Sequence, residues 1–559
     1  MTIKDILNRA ADESPNAIAL KFKRDGEWRT TSFSMLRERA WHVSEMLVKL
    51  GVQAGDRVAL YRENSPEWYE LYYGIVGIGA IAVPVDVKLR EMELAHIFHD
   101  CRVSVVFCSA KSIDVIQGLN EQLHELRTVV ALGAGLVGLP TGQRLACHDY
   151  DGLWQEVSAV AMSDARAYDQ LDPTAESPAS FIYTSGTTGR QKGAVLTHRN
   201  FVSNVLSIAE AIDIRQTDNF LLVLPLHHSF AFTAILLLPV YAQCQVSLVE
   251  NLKTIKANMV ETAPTVLLAV PLLLEKMLAR IMDGINAKNV ARLMYRHGLA
   301  KLVGKKIHAG LGGSLRMIVS GGAPISPATL NAWTKLGFNI VEGYGITETA
   351  PVLTLNPPEA PRVGTVGLPL SGVEIRIANP NPEGVGEIIA RGDNVMQGYY
   401  NNPTETEKVL KEGWYYSGDL GYIDEKGYLV ISGRKKSLIV NREGKNIYPE
   451  EVERQVLESQ VVLECLALGY REPGEETGER VGLIAVPNQE VFDAMEDRTG
   501  QRLTDRQIEA LVRDDIRKQL EGLSDYKRPR KIQVRFEEFE KTTTQKIKRY
   551  LYAIDTAGR

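Results

Sequence analysis

Between Thr184 and Gly193, in the stretch Phe181-Ile182-Tyr183-Thr184-Ser185-Gly186-Thr187-Thr188-Gly189-Arg190-Gln191-Lys192-Gly193, four hydroxyl side chains, three glycines and two cations fall within ten residues. The apolar run Ala179-Ser180-Phe181-Ile182-Tyr183 before them reads as a buried strand. Glycine lets the backbone turn so that successive N–H groups point at one spot, which makes an anion cradle. The hydroxyls add donors, and Arg190 and Lys192 add charge. The chemistry of such a stretch is the gripping of a polyphosphate. It is not a Walker A loop: five residues on from Gly186 stands Gln191, and Lys192 is followed by Gly193 rather than by a hydroxyl.

Other chemistry-bearing residues follow in order. Leu224-Pro225-Leu226-His227-His228-Ser229-Phe230 sets two histidines in an apolar run, where a ring is either a satisfied core residue or a ligand. The strand pattern Arg316-Met317-Ile318-Val319-Ser320 ends in Gly321-Gly322-Ala323-Pro324, which lets a flat ligand approach the backbone. Ser326 then caps a helix with Pro327 at its first position. A second strand, Gly337-Phe338-Asn339-Ile340-Val341, leads to Glu342-Gly343-Tyr344-Gly345-Ile346-Thr347-Glu348-Thr349. Tyr344 offers a ring face to a purine and Glu348 a hard carboxylate to magnesium. Asp419 lies in Trp414-Tyr415-Tyr416-Ser417-Gly418-Asp419, and a carboxylate of this kind can accept from two neighbouring hydroxyls. Arg434 closes the strand pattern Tyr428-Leu429-Val430-Ile431-Ser432-Gly433-Arg434.

The elements that must position these groups alternate strand and helix. An amphipathic helix from Ser34 to Leu50 ends at Gly51; strands are expected at 57–61, 82–85, 103–107 and 128–132, and a helix at 68–79. Such alternation argues for parallel α/β layers, and in open sheets of this kind ligands bind where loops converge at the carboxyl edge. Residues 364–400, rich in glycine and short alternating strands, read as a small β-rich subdomain. Residues 437–559 read as a small α+β domain with helices near 449–458 and 504–521 and strands near 464–470, 480–487 and 530–536. The chain of 559 residues is long enough for several such units.

Composition narrows the function. A net charge of −5 argues against nucleic acid as a main partner. Cys101, Cys108, Cys147, Cys244 and Cys465 have neither metal-ligand nor disulfide-framework spacing. Residues 220–249 carry no Lys, Arg, Asp or Glu, yet Pro225, Pro239, His227, His228, Gln243 and Gln245 interrupt them. That reads as interior or the wall of an apolar cavity rather than as a bilayer span. No transmembrane segment is expected, and the charged N-terminus makes the cytoplasm the default, with association at a membrane surface left open.

Taken together, the motifs closely resemble those of the adenylate-forming enzymes, the superfamily of acyl-CoA synthetases, luciferases and peptide-synthetase adenylation domains. Thr184 to Gly193 is similar to the signature Tyr-Thr-Ser-Gly-Thr-Thr-Gly-x-Pro-Lys-Gly, with Gln191 in place of proline. His228 matches the histidine of a Leu-Pro-Leu-x-His element, with His227 a neighbour. Gly322, Ala323 and Pro324 match Ser-Gly-Gly-Ala-Pro, and Tyr344, Gly345, Thr347 and Glu348 match Tyr-Gly-x-Thr-Glu. Asp419 matches Thr/Ser-Gly-Asp and Arg434 the following Gly-Arg. Lys436 matches the hinge. Gly444, in Gly444-Lys445-Asn446-Ile447-Tyr448-Pro449, matches the element along the thiol channel, although Val440 stands where many relatives have Lys. Lys546, in Lys541-Thr542-Thr543-Thr544-Gln545-Lys546, matches the catalytic lysine, preceded by Gln545 where others have Gly.

The resemblance implies a large N-terminal domain, 1–435, of layered α/β subdomains plus a small β-rich one, and a small mobile C-terminal domain, 436–559. It implies that a carboxylate attacks Mg-ATP to give an acyl-adenylate and pyrophosphate, and that a thiol, most readily that of coenzyme A, then displaces AMP. In that scheme Lys546, His228 and Glu348 serve catalysis, and Thr184 and Glu348 serve Mg2+. Thr184, Ser185, Gly186, Thr187, Thr188, Gly189, Lys192, Gly322, Ala323, Pro324, Glu342, Gly343, Tyr344, Gly345, Thr347, Asp419, Arg434 and Gly444 bind nucleotide or coenzyme A. The forms of the histidine and lysine motifs are most similar to those of medium- and long-chain fatty acyl-CoA synthetases. An acyl carrier protein in place of coenzyme A stays open, with the basic run Lys527-Arg528-Pro529-Arg530-Lys531 as either a docking face or an ordinary solvated one. So does another hydrophobic acid in place of a fatty acid.

Overall fold

The computed structural model describes residues 1–119, 121–133, 145–185, 190–472, 475, 477–500, 502–541 and 547–555, the side chain of Ser185 excepted. Gly186, Thr187, Thr188, Gly189 and Lys546 lie outside the described residues. The chain forms two compact units, Met1–Ile375 with Ala390–Tyr416, and Arg376–Ile389 with Ser417–Arg559. Residues 376–389 and 417–435 group with the C-terminal part because Gly386–Arg391, Trp414–Ile423 and Leu429–Arg434 are ladder neighbours in one small five-stranded sheet. This is a grouping by contact, whereas the division expected at 435/436 marks a point along the chain.

The first unit holds two large sheets. One has eight strands, and its central members Pro178–Ser185, Ile81–Val85, Arg57–Tyr61, Val105–Ser109 and Thr128–Leu132 run parallel. The other has nine, parallel from Ile340–Gly345 through Met317–Ser320, Val266–Ala269, Asn219–Leu222 and Gln245–Leu248. Strands covered on both faces read as continuous apolar runs, and Val266–Ala269 and Met317–Ser320 are buried throughout. The helix expected after residue 33 spans Phe33–Lys49; the Ser32 side chain accepts from the Met35 N–H at its start, and Gly51 follows its end at φ 76°.

Residues 364–400 do not form one subdomain. Leu368–Pro369 joins the nine-stranded sheet, Glu374–Ala378 and Gly386–Arg391 the five-stranded one, and Gly398–Tyr399 the eight-stranded one. Local alternation marks a strand but carries no information about its partner. The uncharged stretch 220–249 is interior: its strands flank a π-helical segment, Phe232–Leu237, in which every residue is buried. No helix among the described residues is long and apolar enough to cross a membrane.

In the second unit Val462–Tyr470, Arg480–Pro487 and Lys531–Val534 form a three-stranded sheet. Pro449–Val456 and Asp505–Gln519 pack Val452, Val456, Val512 and Ile516 into its core. A further helix, Gln489–Thr499, was not legible in sequence, because Phe492 is its one buried side chain.

Candidate active site

The strands on either side of the phosphate-loop candidate form an antiparallel pair. Pro178–Ser185 pairs antiparallel with Gln191–Thr197, with Thr184 opposite Lys192 and Ser185 opposite Gln191. A strand, not a helix, follows the loop, a second difference from a Walker A site. Gln191, which replaces the usual proline, is a member of the ladder, and its carbonyl lies 2.9 Å from His96 Nε2. The Lys192 side chain is largely buried; its ammonium pairs with Glu405 and sits 5.2 Å from the centre of the Tyr399 ring. Hydrogen bonds from Lys192 and Lys408 hold the Glu405 carboxyl down at about 2.

Glu348 lies in the short helical turn Thr347–Thr349, just after the strand Ile340–Gly345. The Tyr399 hydroxyl donates to Glu348 Oε1 at 2.7 Å, and the Met396 N–H donates to the Glu348 carbonyl at 2.8 Å. Burial and the adjacent Glu348 carboxylate both push the Tyr399 hydroxyl upward, so it stays a donor. The segment around Tyr399 is also tied to the hairpin: the Gln397 N–H donates to the Val195 carbonyl and the Tyr400 N–H to the Gly193 carbonyl. The segment of Tyr399 thus links the hairpin to the Glu348 turn. Sequence reading passed it over, because Gly398-Tyr399-Tyr400 belongs to no chemical motif and only tertiary pairing brings it to Glu348.

The His228 turn joins the same edge. Ser229 Oγ and Thr347 Oγ1 lie 3.0 Å apart, and Thr233 Oγ1 donates to the Ala350 carbonyl at 2.8 Å. A Cβ added to Gly321 would stand 3.1 Å from the Phe230 ring, so the glycine permits that close approach. Gly322, at φ 83°, turns the chain, and Gly322, Ala323 and Pro324 are exposed. Tyr344 is half-buried, whereas Glu342 is buried and its carbonyl accepts from the Asn356 N–H at 2.9 Å. Gly345 is a steric necessity, since a Cβ there would lie 2.1 Å from the Pro351 carbonyl oxygen, whereas a Cβ at Gly343 would meet the movable end of Leu355 at 2.9 Å and the Thr354 carbonyl at 3.1 Å. Gly345→Ala is therefore expected to cost about 3 kcal/mol or more, because the obstacle is backbone. A denaturant melt that leaves stability unchanged would contradict this placement.

Glu348 and Thr184 present a carboxylate and a hydroxyl, hard oxygen donors of the kind magnesium takes. Glu348 has one oxygen fixed by Tyr399, and the strand after Thr184, Gln191–Thr197, packs on the turn that carries Glu348. The donor set fits Mg2+.

In the second unit, Asp419 on Trp414–Ile423 faces Arg434 on Leu429–Arg434, with Arg434 Nε 2.7 Å from Asp419 Oδ1. Asp419 is buried, its N–H donates to Ser417 Oγ, and Arg434 holds its carboxylate. Gly444, at φ 75° and exposed, sits in a turn closed by Asn441, whose side-chain oxygen accepts from the N–H groups of Glu443 and Lys445. Val440 is 40% exposed, so the missing lysine leaves an open surface there rather than a filled pocket. In the basic run, Lys527 pairs with Glu451, Arg530 with Asp525 and Lys531 with Glu472, while Arg528 donates to the Leu523 and Glu521 carbonyls. Three of its four charges are therefore paired with carboxylates.

Parallel sheets whose hairpin, Glu348 turn and His228 turn meet at one edge suit a nucleotide-using enzyme of the adenylate-forming class, and the family match shows that class. The chain belongs to the AMP-binding enzyme family, whose model matches residues 7–400. Over 97% of its length, and 93% of the relative's, it is 28% identical to a long-chain-fatty-acid–CoA ligase, FadD15, of Mycobacterium bovis. It is 26% identical to a chloroplastic long-chain-fatty-acid–[acyl-carrier-protein] ligase, AEE15, of Arabidopsis thaliana, covering 92% of this chain and 80% of that one. Among solved structures it resembles ATP-bound MatB from Rhodopseudomonas palustris, with a TM-score of 0.76, 26% identity and coverage of 99% and 98%. By family this chain is an AMP-forming acid–thiol ligase.

Proposed function

We propose that the protein activates a medium- or long-chain fatty acid with ATP, releasing pyrophosphate, and transfers the acyl group from acyl-AMP to coenzyme A. The observation that carries this reading is the convergence of the hairpin, the Glu348 turn and the His228 turn through Tyr399, Ser229 and Thr347. Similarity to a long-chain-fatty-acid–CoA ligase supports the acid and the thiol. The charge-free, buried stretch 220–249 supports an aliphatic substrate: each buried methylene contributes roughly 0.8 kcal/mol, so ten would contribute about 8 kcal/mol.

In this scheme Lys192, the hairpin amides and the 186–189 loop hold the phosphates, and Tyr344 and the exposed Gly322-Ala323-Pro324 backbone hold the adenine. The buried Asp419 carboxylate holds the ribose, with Arg434 beside it. His228 borders the acyl carboxylate, and Lys546 draws that carboxylate and the α-phosphate together. Glu348 and Thr184 would hold Mg2+, which would supply charge neutralisation on the phosphates. Thioester formation then needs Lys546 withdrawn and Gly444 brought to a pantetheine channel, by rotation of residues 436–559 about Lys436. Lys436→Pro is therefore expected to slow thioester formation more than adenylation; an unchanged ratio of the two rates would remove the hinge.

The deciding experiment is pyrophosphate release with Mg-ATP across straight-chain acids from acetate to stearate, with and without coenzyme A. Turnover that rises with chain length and yields acyl-CoA is expected. Similarity to an acyl-carrier-protein ligase favours one second reading, with a protein thiol as acceptor. Release that stalls after one turnover with coenzyme A but resumes with a carrier protein would favour it, although the paired charges of 527–531 weaken that run as a docking face.

A further inference from the structure

A second constellation of ligand-type side chains lies beside the site. Asp86 directly follows the strand Ile81–Val85, and His227 and His228 lie in the turn after Asn219–Leu222. One oxygen or ring nitrogen from each of the three comes within 4.8 Å of the others. His227 Nε2 stands 3.5 Å from Asp86 Oδ2, with the two side chains 12% and 8% exposed, and it makes no hydrogen bond among the described residues. The His227 and His228 ring centres are 4.2 Å apart.

The scaffold around them is fixed. Asp86 Oδ1 accepts from the Lys88 N–H at 2.9 Å. Asn64 clamps the histidine turn from both sides, donating to the Leu224 carbonyl at 2.8 Å and accepting from the Leu226 N–H at 2.9 Å. We propose that Asp86, His227 and His228 form a binding site for a divalent transition metal of the zinc class, and that its occupancy takes His228 from the acyl pocket and stops adenylation. The second half of this statement rests on the function proposed above; the first half does not.

The donor set selects the metal. Two imidazoles and one carboxylate suit Zn2+, Co2+, Ni2+ or Cu2+, whereas Mg2+ prefers oxygen and retains its waters. Bonds of about 2.0 Å in a tetrahedron require donors roughly 3.3 Å apart. The Asp86–His227 pair is already near that separation, and the His228 nitrogen, within 4.8 Å of both partners' donors, has to move closer as the metal binds. Three protein ligands leave one position for water. A histidine whose ring nitrogen is bound to a metal cannot also donate a hydrogen bond from it to a fatty carboxylate, which makes the site inhibitory.

The test uses the full-length protein, stripped with chelator and desalted, as wild type, Asp86→Asn and His227→Gln. Co2+ is titrated by its visible absorption and Zn2+ by calorimetry, and Zn2+ inhibition of pyrophosphate release is measured at constant excess Mg2+. One equivalent should bind to wild type, and each substitution should weaken it by at least about 100-fold. The zinc concentration for half-inhibition should rise in parallel, with activity in the absence of zinc retained. Binding that is equal in all three proteins, or absent from wild type, overturns the site. Binding lost in both variants with inhibition unchanged supports the site and overturns the inhibitory link. Binding lost in both variants by a protein that releases no pyrophosphate from any acid supports the site and overturns the proposed function instead.

Discussion

Replacing Lys546 with alanine is expected to lower acyl-adenylate formation by about 10²–10³-fold and to leave transfer from a supplied acyl-adenylate to coenzyme A largely intact. The first half-reaction brings a carboxylate against the α-phosphate, two anions that repel each other. A cation between them stabilises the charge as it concentrates in the transition state. The second half-reaction starts from a mixed anhydride and has no such need. Lys546 is three residues before Arg549, whose guanidinium is bound in two places: to both Glu453 carboxylate oxygens, at 2.6 and 2.5 Å, and to the Ala467 carbonyl at 3.0 Å. Arg549, which opens the short helical turn Arg549–Leu551, anchors the chain three residues beyond Lys546. Arg549→Gln should therefore depress adenylation in the same direction but less, with thioester formation less affected. The measurement is single-turnover pyrophosphate release beside thioester formation from synthetic acyl-AMP. Equal loss of both steps in Lys546→Ala would remove the assignment.

Glu348→Gln is expected to lower pyrophosphate release by about 10²-fold or more. The substitution keeps the shape, and the amide oxygen still accepts from Tyr399, but it removes the anionic oxygen on which the proposed Mg2+ site depends. Tyr399→Phe separates position from charge. It deletes one hydrogen bond to an ionised group, worth about 1.5–3 kcal/mol, so about a tenfold to hundredfold loss is expected, with the magnesium requirement raised. Titrating rate against Mg2+ at fixed ATP distinguishes the two: Tyr399→Phe should be partly rescued by high magnesium and Glu348→Gln should not. Full activity of Glu348→Gln at ordinary magnesium would place the metal elsewhere.

Much of the architecture could be read from local pattern. The strands Arg57–Tyr61 and Ile81–Val85 and the helix Phe33–Lys49 fall within a residue or two of their expected bounds. They are legible because hydrophobic period and end signals are properties of neighbouring residues. The helix Gln489–Thr499 escaped because a single buried side chain makes no period.

By itself, the sequence determined the class of chemistry. Hydroxyls, glycines and cations in one short stretch, and Glu348 and Tyr344 within five residues of one another, are a matter of covalent order and survive any folding detail. Tertiary structure alone decided which groups meet. It placed Tyr399 against Glu348 across 51 residues and Glu405 against Lys192 across 213, set Asp86 beside His227, and distributed residues 364–400 among three sheets. The reason is physical: a strand's ladder partners, and the burial that makes a distant hydroxyl or carboxylate a neighbour, depend on long-range pairing that leaves no periodic trace in the chain.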